Sequence, residues 1–162
     1  MKKNIRHTIL KLAGFFLIAN LPFLTVSQLI GMEAFIDSFK HPDSFIYLNN
    51  GKIQCIDTKG GYIILEQPSY QGFSIGEGDC ILYQNEKDSM QQNIVSYINS
   101  DDGRKTYYTT SYSDVNNGPI YDHQIIGKII GRSGDNIWIT LCLQFWDISI
   151  DNLNIFALFF DE

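Results

Sequence analysis

Gly51-Lys-Ile-Gln-Cys-Ile-Asp-Thr-Lys-Gly-Gly-Tyr-Ile-Ile-Leu65 is the stretch on which the fold turns. Two short apolar runs, Ile53–Ile56 and Tyr62–Glu66, flank a cluster of turn-forming residues, the pattern of strand, turn and strand. Runs of the same kind recur along the chain at Ser44–Leu48, Cys80–Gln84, Asn93–Ile98, Lys105–Thr110, Gln124–Ile130 and Ile137–Phe145. Asp101-Asp102-Gly103 is a turn signal between two of them and predicts a hairpin. Asn116-Asn-Gly-Pro119 reads as a loop, and Gly127 inside an apolar run predicts a bent or bulged strand. Aromatic residues make up 14% of the 162 residues and charged ones 19%, a composition that suits a β-rich fold with an apolar face.

The N-terminus has a different character. Lys2, Lys3, Arg6 and Lys11 precede Leu12–Ile30, a run of nineteen residues without charge. As a helix it extends roughly 28 Å, close to the thickness of a bilayer's hydrocarbon layer. Basic residues before the span predict a cytoplasmic N-terminus and a translocated body. This divides the chain into a tail and transmembrane anchor, 1–31, and an extracytoplasmic or lumenal β domain, 32–162. A cleavable signal ending near Thr25 and Ser27 is the competing reading. Met32–Lys40 continues as a short helix until His41-Pro42 interrupts it. A net charge of −6 offers nothing to nucleic acid.

Ile137–Phe160 is apolar but carries Asp147 and Asp151. A second membrane span would bury both, at roughly 2.5 kcal/mol or more each near the helix centre. The expectation is therefore a final strand followed by an interfacial piece, with Trp138 and Trp146 as interface anchors or core residues. Cys55, Cys80 and Cys142 allow at most one internal disulfide, lack zinc-site spacing, and sit in apolar runs as core residues.

Four features together resemble the type I signal peptidase family in its archaeal and endoplasmic reticulum form. They are the basic single-span N-terminus, the Gly51–Leu65 segment, Phe73-Ser-Ile-Gly-Glu-Gly-Asp-Cys-Ile-Leu-Tyr83, and Tyr107 to Gly131 with its Gln124-Ile-Ile-Gly-Lys-Ile-Ile-Gly131 ending. The resemblance implies a mainly β, signal-peptidase-like antiparallel domain behind one transmembrane helix, with no cofactor and no metal. It also places the catalytic positions, and there the chain departs from the family. The nucleophile position holds Lys52, the base position Ser96, and Asp114 lies two residues from the acidic position. An ammonium is no substitute for a serine hydroxyl activated by an adjacent base.

The leading expectation is thus a membrane-anchored, catalytically inactive homologue that binds extended signal or pilin-like peptides, or docks on an active peptidase or a surface assembly. One alternative is an active signal peptidase, a serine endopeptidase with rearranged catalytic residues, in which Cys55 is the outside candidate nucleophile. The other is a secreted or surface structural β domain. Ser69 and Ser74 read as solvent-exposed loop hydroxyls. Asp101, Asp102, Asp114 and Asp122 read as turn formers rather than calcium ligands.

Overall fold

A computed structural model describes residues 2–49, 61–101, 103–110 and 116–160, with side chains placed for 7–46, 61–101, 103–110 and 119–152. The chain begins with helix α1 (Lys2–Ile30), turns at Gly31 with φ +89°, and continues as α2 (Met32–Lys40). A single 3-10 turn at Pro42–Ser44 leads into the strands β1 (Phe45–Asn49), β2 (Tyr62–Glu66), β3 (Cys80–Gln84), β4 (Met90–Asp101), β5 (Arg104–Thr110), β6 (Asn116–Tyr121) and β7 (Ile125–Arg132). The final element is the helix α3 (Ile137–Phe160).

The seven strands form one curled, half-barrel sheet in the order β1-β2-β7-β3-β4-β5-β6, every pair antiparallel. Strand β7, last in sequence, lies near the middle, between β2 and β3. It fits there by slipping register twice. Leu82 pairs with Gly127 while Tyr83 pairs with Ile125, and Ile64 pairs with Gly131 while Leu65 pairs with Ile129. Ile126 and Ile130 are therefore extra residues, each next to a glycine, so the repeat Ile-Ile-Gly-Lys-Ile-Ile-Gly is a pair of bulges four residues apart. A Cβ on Gly127 would stand 2.7 Å from the carbonyl oxygen of Glu66, and one on Gly131 would stand 2.7 Å from Ile30 Cγ2. The first glycine lets β2 close on β7; the second lets the end of α1 close on the sheet.

Alternation along the strands supplies two apolar faces. On one, Ile64 joins Val26, Phe45, Cys142, Leu143, Trp146 and Ile150, so α1, α3, β1 and β2 share a core. The same face carries a second cluster farther along the sheet, in which Ile75 from the β2–β3 loop packs among Ile81, Tyr83, Val95, Tyr107, Ile120 and Ile125. On the opposite face Ile63, Leu65, Leu82 and Ile129 form a third. Each fully buried side chain of this size contributes about 1.5–3 kcal/mol over its exposed state.

Two sequence expectations need correction. Ile137–Phe145 is the start of a helix, not a strand. Asn136 caps it, its Oδ1 accepting from the backbone N–H groups of Trp138 (3.0 Å) and Ile139 (3.2 Å), and its apolar residues then face two sides of one helix. Cys142 is accordingly a helix residue, and Trp146 is buried core rather than an interface anchor, while Trp138 is exposed. Asn116–Pro119 belongs to edge strand β6 rather than to a loop. Its register slips across Gly118-Pro119, which accommodates the proline's missing donor. The expected strand Ile53–Ile56 lies outside the described residues.

If Gly127 is required by the approach of Glu66, Gly127→Val should lower stability by about 1–3 kcal/mol. Gly14→Ala, where nothing lies within 4 Å of the added methyl group, should cost nothing measurable. Denaturant unfolding of the detergent-solubilised protein compares them.

Candidate functional site

Ser96 is the one position carried over from the family's catalytic set that falls among the described residues; Lys52, Cys55 and Asp114 lie outside them. Ser96 sits on β4 at a fourth register slip, where Val95 pairs with Thr109 but Tyr97 pairs with Tyr108. The bulge leaves Ser96 unpaired in the β4–β5 register and exposed. Its hydroxyl donates to the carbonyl oxygen of Tyr108 at 2.9 Å. A neutral hydroxyl held in this way has no basicity with which to take a proton near neutral pH.

The β2–β3 loop is pinned beside Ser96. Gly78 adopts φ +91°, a left-handed conformation that a side chain would strain. Its N–H donates to the carbonyl oxygen of Val95, while the N–H of Val95 donates to the carbonyl oxygen of Asp79, both at 2.8 Å. The Asp79 carboxylate accepts from the N–H of Gly76 at 2.8 Å, closing the turn. Beyond this clamp, β4 outruns β3. From Tyr97 to Asp101 it pairs with β5 on one side, and on its other side no strand lies against it among the described residues. Next to this free edge, Ile94 and Tyr97 are exposed, and the rings of Tyr97 and Tyr108 stand 6.0 Å apart.

The Gly-Asp and Gly-Lys motifs meet at one ion pair. Lys128 Nζ, on β7, lies 3.1 Å from Glu66 Oε2 on β2 and 4.0 Å from Asp79 Oδ2, and donates to the carbonyl oxygen of Ser74 at 2.8 Å. Both side chains of the Lys128–Glu66 pair are largely buried. Lys128 thus ties β7, β2 and the loop before β3 together, a positioning role and not a chemical one. A cavity of about 610 Å³ opens between this pair and the α1–α2 turn, with Glu33, Asp37 and Tyr70 on its far wall. There the Tyr70 hydroxyl donates to Asp37 Oδ2 at 2.5 Å, which holds the Asp37 carboxyl below its usual range and pushes Tyr70 up to about 12.

Other sequence candidates are dispersed. Ser69 and Ser74 are exposed loop residues, as expected. His41 packs against Tyr70, and His123 stacks on Tyr121, so neither imidazole belongs to β4. Asp122 accepts a hydrogen bond from Tyr107, whose ionisation burial and this carboxylate push up to about 12. Cys80, on β3, lies 2.6 Å from an Arg132 guanidinium nitrogen, with Gln92 turned so that its oxygen also faces the guanidinium. Burial nevertheless raises the Cys80 thiol, which outweighs the attraction of Arg132 and leaves it a poor nucleophile.

Sequence reasoning missed the buried trio beneath the edge, in which Asn93 Nδ2 donates to Tyr83 Oη at 2.9 Å and to Thr109 Oγ1 at 3.1 Å. The apolar-polar alternation of β4 places Asn93 inward with Val95, and that was its only signal. Compared with protein-family models, with curated proteins and with solved structures, the chain matches none.

Two measurements check these assignments. Lys128→Met leaves a buried carboxylate uncompensated and should cost about 3 kcal/mol, whereas Lys128→Met with Glu66→Gln should cost less than the single change. Because the Tyr70 pKa is raised in the folded protein, the stabilisation from its bond to Asp37 is present below pH 10 and is lost as pH rises through about 12. In an ultraviolet titration, Tyr70→Phe should remove a tyrosine ionising at the upper end of that window.

Proposed function

We propose that this chain is a membrane-anchored, signal-peptidase-like protein without peptidase activity, which holds an extended peptide along the free side of β4. The observation that carries the reading is that edge: five residues of a strand, Tyr97–Asp101, paired on one side only among the described residues, beside exposed Ile94 and Tyr97. An unpaired strand offers alternating N–H and C=O groups to a second extended chain, and neighbouring side chains select what it carries. The position favours a peptide that arrives at the membrane, since α1 is an apolar helix long enough to span a bilayer and its end packs on the same sheet. On this reading the β domain lies outside the cytoplasm or in a lumen, following the basic residues that precede α1.

Support for the missing activity is chemical. Acyl transfer needs a hydroxyl or thiol nucleophile, a base within hydrogen-bond reach of it and donors for the oxyanion. The family's base position holds Ser96, whose hydroxyl is engaged by Tyr108, and its nucleophile position holds Lys52. The chemistry is lost while the clamp at Gly78-Asp79 and the strand it aligns remain. Such a protein would capture or present a peptide without cutting it.

The test pairs two assays on the full-length protein in detergent. Incubated with a signal-bearing precursor, it should release no cleaved product. A fluorescent peptide of extended conformation should nonetheless bind, and Ile94→Asp should weaken that binding by about tenfold or more, equivalent to 1.4 kcal/mol. Specific cleavage, abolished by Cys55→Ala or Ser96→Ala, contradicts the proposal; so does binding that Ile94→Asp leaves unchanged.

A further inference from the structure

We infer that α3 enters the lipid bilayer alongside α1, so that the two helices form one antiparallel membrane foot and residue 160 returns to the side from which α1 sets out. A shared groove and one ring contact give the direction of the pair. Ile139 lines a groove of about 460 Å³ with Leu24, Gln28 and Leu29, and the ring of Phe145 meets that of Phe23 edge-on, 5.5 Å between centroids. Residues later in α3 thus lie beside residues earlier in α1. From Phe145 to Phe160 the helix rises about 22 Å more, which brings its end about level with Thr8. Past the Phe23–Phe145 contact α3 runs on toward the start of α1, so a bilayer that α1 crosses is one that the rest of α3 enters.

The surfaces agree with this placement. On α1, Leu10, Phe15 and Phe16 are 74%, 73% and 68% exposed, far more apolar surface than a soluble helix leaves bare. On α3, Trp138, Leu141, Phe145 and Ile148 recur at intervals of three and four residues, and all four are exposed. Their stripe continues the apolar surface of α1. The other side of α3, through Cys142, Leu143, Trp146 and Ile150, is occupied by the shared core. Lipid is the occupant that covers both exposed faces as one surface.

Asp147 and Asp151 are the reason the sequence alone argues against insertion. Counted from the Phe23–Phe145 contact, they fall about level with Leu21 and Leu17. Asp147 is half-buried against the protein, and Asp151 alone is exposed. The penalty of carrying them opposes insertion of α3 by itself, but α3 does not insert by itself: the core joins it to α1, and it goes where α1 goes.

This inference stands on α1 crossing the bilayer and is independent of peptide binding. Green fluorescent protein, fluorescent in the cytoplasm, and alkaline phosphatase, active outside it, are placed in turn before Met1, within the β4–β5 turn at Gly103, and after Glu162 of the full chain. The expected pattern is agreement between the Met1 and Glu162 positions and the opposite response at Gly103. A Glu162 reporter that follows Gly103 while Met1 differs overturns the inference and leaves the α1 span intact. Agreement of all three positions overturns the span as well.

Discussion

Strand β7 must touch β2, β3 and the end of α1 at the same time, and the absence of side chains at Gly127 and Gly131 is what makes this possible. With either Cβ present, a heavy atom of a neighbouring element would stand at 2.7 Å. The sheet's order follows from this fit. Strands β2 and β3 are separated in space by a strand formed some forty residues later, and the intervening β4–β6 meander is free to curl. The same strand supplies Lys128, whose ammonium binds Glu66 of β2 and the carbonyl oxygen of Ser74 before β3. Steric access and a buried charge pair therefore act at adjacent residues, and the apolar helix α1 joins the sheet at the far end of the same strand.

The motifs that resemble a signal peptidase do structural duty at every described position. Gly78 supplies a left-handed turn, Asp79 closes that turn and clamps Val95, and Gly127-Lys128 builds the bulge and the ion pair. On the proposed reading, the sequence keeps the frame of a protease and gives up its chemistry, because the frame and the reacting groups reside on different residues. Among the described residues this leaves one side of β4 unpaired from Tyr97 to Asp101, and such edges bind extended chains unless something covers them.

Much of this was legible in the residues. Tyr62–Glu66 and Cys80–Gln84 are strands to the residue, since β-branched and aromatic runs bounded by Gly, Asp and Asn have few other ways to fold. Gly127 announced its bulge. Strand β6 was illegible because Gly118-Pro119 signals a loop anywhere except at a slip on an edge strand. Helix α3 was misread because Ile, Trp, Thr, Leu and Cys have the composition of a strand; Asn136 before the run and the twenty-four-residue length were the better guides. The partnership of α3 with α1 lay beyond any local signal, since its cause is the ring of Phe23 against that of Phe145, more than a hundred residues apart.

On the proposed reading these parts make one arrangement: helices that hold the sheet at a membrane, a central strand that fixes its curl, and a half-open strand that faces incoming peptide. Amide hydrogen exchange of the full chain, with and without an extended signal peptide, addresses it most directly. The account predicts that backbone amides of Tyr97–Asp101 gain protection when peptide is present, with β7 unchanged. Protection confined to β6 or β1, or none at β4, would contradict it.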